Sequence, residues 1–326
     1  MPKPQLAIRS PAQRRRYKRG MELIEQRLVA AASDPPGPLG AACGATLNAG
    51  GKRVRPLLTL LCARTDRELC EPVLRAAAGA ELLHMATLVH DDVLDRADLR
   101  RGRPTVAREF GIDIAISTGN YLLARAFNEL AGTGDGEAVA ALSIAAVGLS
   151  EGEVLQRDQT RVVALEQAEY ERRCERKTAD LFAVSCWLGA RLSGAGSETV
   201  TALSEYGRLM GLAFQVFDDI LDCSGDEGDT GKRPGADVRD GTITLPLMFA
   251  MEAEPGLAAL VSRADLGADE VAIVLRAVAR SGALERARAA AMRYIEEARE
   301  VLDTCTGPVE RELLAQVAAR VVARYS

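Results

Sequence analysis

Aromatic residues are scarce, at 4% of the chain. Sheets draw many cross-strand contacts from aromatic and β-branched side chains, so this scarcity, beside abundant alanine and leucine, favours helix. There are only two histidines, which argues against a histidine-rich zinc site. The seven cysteines are scattered, their number is odd and none stands in C-x-x-C spacing. A disulfide framework is therefore not expected, and a reduced cytoplasmic setting is. Positive charge is not in excess: 41 Lys and Arg against 46 Asp and Glu give a formal net charge of -5. Nucleic acid is not an expected partner, since binding it needs a basic face. No uninterrupted apolar run approaches the roughly 20 residues of a membrane span, and no signal-peptide pattern opens the chain, so no transmembrane segment is expected.

What is present fits a globular protein. Hydrophobic residues make up 48% and charged ones 27% of 326 residues, enough for a sizeable core. A basic cluster, Arg14, Arg15, Arg16, Lys18 and Arg19, stands near the N-terminus. It reads as a solvated helix start, with contact to anionic lipid or a bound diphosphate as the alternatives.

Apolar residues recur at helical steps in Met21–Ala32, Val73–Leu94, Ile112–Leu130, Ala138–Leu155, Ala168–Leu188 and Val200–Leu221. They do so again in Leu245–Met251, Ala268–Ala279, Leu284–Leu302 and Val309–Tyr325. Breakers separate these runs, among them "DPPGPLG", "AGGKRVRP", "RRGRP" and "SGDEGDTGKRPGAD". No alternating strand is evident. The pattern predicts an all-α bundle of roughly a dozen helices. Composition does not shift along the chain, so residues 1–326 are expected to form a single domain.

Two acidic motifs share one spacing: "DDVLD" at Asp91–Asp95 and "DDILD" at Asp218–Asp222. On a helix, Asp91 and Asp95 lie on one face about 6 Å apart, as do Asp218 and Asp222. Like charges so placed cost roughly 0.2–0.5 kcal/mol when exposed, and far more when buried. One such motif alone reads as a solvated helix end. Here both follow apolar runs, which should bring the acids to the mouth of a core. Carboxylates crowded there need a cation, and oxygen-only ligands suit Mg²⁺ with substrate phosphates. Basic residues recur beside them: Lys52, Arg53 and Arg55 in "GGKRVRP", Arg100 and Arg101 in "RRGRP", Lys177 in "ERKTADLF", and Lys232 in "TGKRPG". Arginine matches phosphate bidentately and lysine acts as a point charge. The set points to two phosphate pockets, one metal-bridged and one lined by arginine.

The motifs "GGKRVRP", "ELLHMATLVHDDVLDRADLRRGRPT", "KTADLF", "GLAFQVFDDILD" and "TGKRPGADVRDGTITLP" stand in an order that resembles the trans-isoprenyl diphosphate synthases of the polyprenyl synthetase family. The resemblance implies a single large helical bundle with a central cavity. It implies that Asp91, Asp95 and Asp218 bind Mg²⁺ (three ions per active site), with Asp92, Asp219 and Asp222 in support, Asp222 through water. Arg100, Lys177 and Lys232 would hold an allylic diphosphate. Lys52, Arg55, His84 and Arg101 would hold isopentenyl diphosphate. Thr178 and Gln215 would border the reacting carbons, and a homodimer is expected. Without the resemblance, His84 reads as a satisfied core histidine. His90, Phe214 and Phe217 read as core.

Two positions depart from the family pattern. Asn120 stands where many relatives carry aspartate, and Thr242 where short-chain relatives carry lysine. Ala86 and Thr87, five and four residues before Asp91, are small where relatives stopping at fifteen carbons carry aromatics. With Leu83, Met85 or Phe127 as a deeper floor, the product is expected to reach twenty carbons or more. The alternatives are a non-catalytic or regulatory subunit of a heteromeric synthase and, more remotely, a terpene cyclase. Cyclases usually carry an Asn/Ser/Glu pattern where this chain has "DDILD".

Overall fold

The computed structural model describes residue 8, residues 10–224 and residues 234–323. Its helices are α1 (Pro11–Ser33), α2 (Gly37–Asn48), α3 (Val54–Cys62), α4 (Glu71–Leu94), α5 (Val106–Phe110) and α6 (Ile112–Ala131). These are followed by α7 (Gly136–Asp158), α8 (Gln167–Cys174), α9 (Asp180–Leu192), α10 (Ser197–Ser224) and α11 (Ala236–Asp240). The remainder are α12 (Leu245–Ala253), α13 (Gly256–Val261), α14 (Ala268–Arg280), α15 (Ala283–Thr304) and α16 (Arg311–Ala323). The all-α expectation therefore holds. Among the described residues the one ladder is a hairpin of two-residue strands, β1 (Leu99–Arg100) and β2 (Arg103–Pro104).

Several breakers are more structured than their composition implies. "DPPGPLG" opens α2, because a proline in the first helical turn loses no hydrogen bond. "KRVRP" runs into α3 for the same reason. "RRGRP" is the hairpin, turning through Arg101 and Gly102, both in the left-handed region at φ 54° and 73°. The apolar run Ala168–Leu188 is not one α-helix: a π-helical turn, Glu175–Ala179, lies between α8 and α9.

The chain divides into two compact units. The first comprises Met1–Ala146, Leu181–Gly207 and Val301–Val317; the second comprises Val147–Asp180, Arg208–Glu300 and Ala318–Ser326. Their boundaries fall inside α7, α9, α10, α15 and α16, where no linker marks them. The core of the first unit takes Ile24 and Leu28 from α1, Leu58, Leu60 and Leu61 from α3, Leu82 and Leu83 from α4, and Leu122 from α6. Each such side chain contributes about 1.5–3 kcal/mol on burial. Gly119 of α6 leaves room for the His90 ring of α4. A Cβ there would stand 2.2 Å from His90 Nε2. The His90 ring thus fills a helix crossing, a packing role. The second core gathers Tyr170, Phe217, Ile243, Leu247, Val274 and Ala287.

All seven cysteines are thiols. Among the described residues, α7 is the one helix long and apolar enough to cross a membrane by length and composition alone. Glu151 and Glu153 interrupt its apolar run, as the absence of an uninterrupted span in the sequence predicts.

Candidate active site

In the first unit, α4 delivers Asp91 and Asp92 in its last turn, and Asp95 caps its C-terminus. That end carries the negative pole of the helix and its unsatisfied carbonyls. Three carboxylates there concentrate negative potential and favour a cation. Arg100 supplies one, its Nε donating to Asp92 Oδ1 at 2.8 Å. Asp92 is buried, Asp91 half-buried and Asp95 exposed.

The hairpin brings Arg101 to the "GGKRVRP" segment. Its guanidinium bonds the Gly50 carbonyl, and Arg103 Nη1 donates to the Asn48 carbonyl at 2.9 Å. The Arg55 guanidinium lies 4.9 Å from the centre of the Phe182 ring. Burial lowers its pKa to about 10, with Glu81 acting in the opposite sense. Its Nε is buried with no hydrogen-bond partner among the described residues. Burial, then the charges of Arg55, Arg101, Arg100 and Arg53, hold His84 well below the usual imidazole range. His84 is therefore neutral, an N–H donor among arginines. Lys52 is half-buried on the same segment.

Arg53 differs from its neighbours. It is buried, donating to Glu81 at 3.0 Å and with two nitrogens to Glu25 at 3.2 Å. Its charge is matched by protein, which makes it structural. The two residues expected to bear on chain length lie on α4: Ala86 is buried, and half-buried Thr87 turns its Oγ1 back to the His84 carbonyl at 2.9 Å. Leu83 and Met85 are buried, and Phe127 is half-buried on α6.

In the second unit, α10 presents Gln215, Asp218, Asp219 and Asp222 near its C-terminal end. Asp218 is exposed, while Asp219 is 4% exposed. The Tyr170 hydroxyl donates to Asp219 Oδ2 at 2.7 Å, and Gln215 Nε2 donates to Oδ1 at 2.9 Å. Burial raises the Asp219 pKa to about 7 against these bonds. Because the carboxylate takes the amide N–H, the Gln215 oxygen faces the other way and accepts from Thr178 Oγ1 at 2.7 Å. Gln215 and Thr178, both expected near the reacting carbons, are hydrogen-bonded to each other. Asp222 accepts from the backbone N–H groups of Ala236 and Asp237 at 3.1 and 3.0 Å, tying its carboxylate to the first turn of α11. Lys177 sits in the π turn and donates to Glu153 and Gln156. Thr242 is half-buried after α11, and Asn120 is exposed on α6. Lys232 lies outside the described residues.

Sequence reasoning passed over several groups. Tyr170 and Arg173 stand behind Asp219, with Arg173 anchored by Gln159 and the Ile243 carbonyl at 2.9 and 2.6 Å. Asp237 is pushed well above the carboxylate range by burial, then by Asp222, Asp219 and Asp218. The signal for it was the "GADVRD" stretch, which looked like loop. Among the described residues, no three His, Cys, Asp or Glu side chains converge as a closed metal cluster. Carboxylates in ones and twos at a helix end, with only oxygen donors, still fit Mg²⁺, which takes one or two carboxylates and completes its shell with phosphate and water. In the N-terminal cluster, Arg14, Arg15, Lys18 and Arg19 are exposed, and Arg16 donates to the Arg64 and Arg67 carbonyls. A surface cavity of 710 Å³ in the first unit, lined by Asp135 and Arg191 among others, contains none of these site residues.

The model of the polyprenyl synthetase family matches residues 38–278. The chain is 40% identical over 298 residues to heptaprenyl diphosphate synthase component 2 of Geobacillus stearothermophilus, covering 90% of this chain and 92% of that protein. The crystal structure of heptaprenyl diphosphate synthase from Staphylococcus aureus superposes with a TM-score of 0.91 at 32% identity, covering 95% of this chain and 99% of that one. A polyprenyl synthase from Caulobacter crescentus, solved with calcium and isoprenyl diphosphate, gives a TM-score of 0.85 at 32% identity, covering 97% and 96%.

Proposed function

Because the chain belongs to the polyprenyl synthetase family, we propose that it is a Mg²⁺-dependent prenyltransferase. It condenses isopentenyl diphosphate with an allylic diphosphate, head to tail and in trans geometry, to a polyprenyl diphosphate of twenty carbons or more. The observation that carries this assignment is the cationic cluster of the first unit. Arg55, Arg100 and Arg101 surround a neutral His84, and Arg55 keeps a buried N–H with no partner among the described residues. Protein groups neutralise Arg53 but not this cluster to the same degree, which is what a diphosphate pocket requires.

In this assignment Lys52, Arg55, His84 and Arg101 bind isopentenyl diphosphate. Arg100, Lys177 and Lys232 bind the allylic diphosphate, and Asp91, Asp95 and Asp218 are the Mg²⁺ ligands. Bound Mg²⁺ supplies charge neutralisation for the diphosphate group. The allylic C–O bond breaks and the diphosphate leaves with the electron pair, held by arginine and lysine. The double bond of isopentenyl diphosphate attacks the allylic cation, and the proton then lost goes to the departed diphosphate. Gln215 fixes the Thr178 hydroxyl with its proton turned away, so Thr178 presents oxygen lone pairs elsewhere. This is electrostatic stabilisation and positioning, with no protein nucleophile. Incubation with labelled isopentenyl diphosphate and farnesyl diphosphate should give a label-containing polyprenyl product that a chelator abolishes and Mg²⁺ restores. Label incorporation that persists in chelator would contradict the metal assignment.

Small Ala86 and Thr87 support a long product. Ala86→Phe is expected to shorten it by at least one five-carbon unit, read by mass spectrometry; an unchanged length would remove the tunnel assignment. A homodimer is supported by α7, where Ile144, Val147 and Val154 are 68%, 56% and 57% exposed at helical spacing. Light scattering should show a dimer, and Ile144→Asp with Val147→Asp should convert it to monomer. A second assignment is favoured by the relative named component 2: the chain would act with a different subunit. Retention of both acidic motifs favours activity alone, and absence of turnover until a partner is added would reverse that preference. A cytoplasmic location completes the proposal, supported by the seven thiols.

A further inference from the structure

Lys177 is held with more care than a surface ion pair requires. Its Nζ donates to Glu153 Oε2 and to Gln156 Oε1, both at 2.8 Å. The two acceptors lie three residues apart on α7, hence on one face. The other Glu153 oxygen, Oε1, accepts from Arg157 Nε at 3.3 Å, so the carboxylate is pinned through both oxygens. Burial works against the ionised form of Glu153, but Lys177 and Arg157 outweigh it and lower its pKa, so it stays charged.

The backbones are built for this contact. A Cβ at Gly152 would stand 2.7 Å from the Lys177 nitrogen and 3.0 Å from its Cα. Only glycine lets α7 lie this close, and the approach brings Glu153 and Gln156 within reach of the ammonium. Lys177 is also central in the π turn Glu175–Ala179. Such turns are rare and concentrate at functional sites. An exposed ion pair contributes roughly 0–1 kcal/mol, too little to explain a dedicated glycine and an unusual helical turn. An ammonium has three N–H donors, and Glu153 and Gln156 take two in fixed directions. The direction of the third is thereby set.

We infer that Glu153 and Gln156 are positioning residues that aim the Lys177 ammonium at the allylic diphosphate, with Gly152 as the contact that lets them reach it. This rests on Lys177 as a diphosphate ligand in the proposed reaction.

A double-mutant cycle tests the inference. In the wild-type background, Glu153→Ala raises KM for the allylic diphosphate about tenfold, leaves KM for isopentenyl diphosphate within about twofold, and leaves the circular dichroism spectrum unchanged. Glu153→Gln, which keeps an acceptor oxygen, recovers most of the loss and serves where the alanine variant does not fold. In a Lys177→Ala background, Glu153→Ala has little further effect. The same cycle is run on binding of inorganic diphosphate by calorimetry, without turnover. An equal loss in both backgrounds, or no diphosphate binding by the wild type, overturns the inference. A coupled cycle in calorimetry without isopentenyl incorporation would instead reject the reaction and keep the positioning role.

Discussion

Replacing Asp218 by alanine is expected to lower kcat/KM for the condensation by about 10³-fold. The fold should tolerate the change, because Asp218 is exposed near the C-terminal end of α10. Its neighbour Asp219 is buried under the Tyr170 hydroxyl and the Gln215 amide, so removing Asp219 would disturb packing as well as charge. The two positions separate chemistry from structure. The loss at Asp218 follows from its place beside buried Asp219 and one turn before Asp222, where neighbouring carboxylates repel and a bound cation offsets the repulsion. If its role is to hold Mg²⁺, the variant should need more Mg²⁺ for half-maximal rate while its thermal unfolding stays within a few degrees of wild type. Titrating Mg²⁺ in steady-state assays checks this. Undiminished activity in Asp218→Ala would remove that carboxylate from the metal assignment.

Arg53→Ala is expected to have the largest effect on stability, roughly 3–5 kcal/mol. Arg53 is 5% exposed and its partner Glu81 is 3% exposed. Deleting the guanidinium leaves Glu81 buried without its 3.0 Å donor and removes both bonds to Glu25. A buried carboxylate stripped of its cation either bears the desolvation cost or takes up a proton. Urea unfolding followed by circular dichroism should show the loss. Arg53→Ala paired with Glu81→Leu should regain part of it, since a neutral pair leaves no uncompensated charge. A midpoint unchanged in Arg53→Ala would contradict the structural role given to this arginine.

Helix content and the extents of α4, α6, α12 and α14 were legible because their apolar positions repeat at helical steps. The errors share a cause. Proline and glycine were taken as breaks, whereas at Pro38 and Pro56 proline lies in a first turn and starts a helix. The π turn was invisible, since one extra residue in a turn barely alters an apolar pattern. The division into two compact units leaves no mark in the sequence, because its boundaries lie within helices. At the site, the motifs place the acids near the C-terminal ends of α4 and α10, and the hydrogen bond between Thr178 and Gln215 had no signal in the sequence. The supporting groups were missed for want of local signal. Tyr170 reaches Asp219 from 49 residues away, and Glu153 reaches Lys177 from 24. Neither looks distinctive on its own helix. Arg53 stands in the same cluster as Arg55, and only its buried partners identify it as structural.

The most direct measurement is product analysis with the purified chain alone. It is incubated with Mg²⁺, isopentenyl diphosphate and, separately, dimethylallyl, geranyl, farnesyl or geranylgeranyl diphosphate, and the products are read by mass spectrometry. The predicted result is a ladder of linear polyprenyl diphosphates rising in five-carbon steps and ending at twenty carbons or more. A cyclic hydrocarbon, or no product from any primer, would contradict the assignment of this chain as a self-sufficient polyprenyl diphosphate synthase.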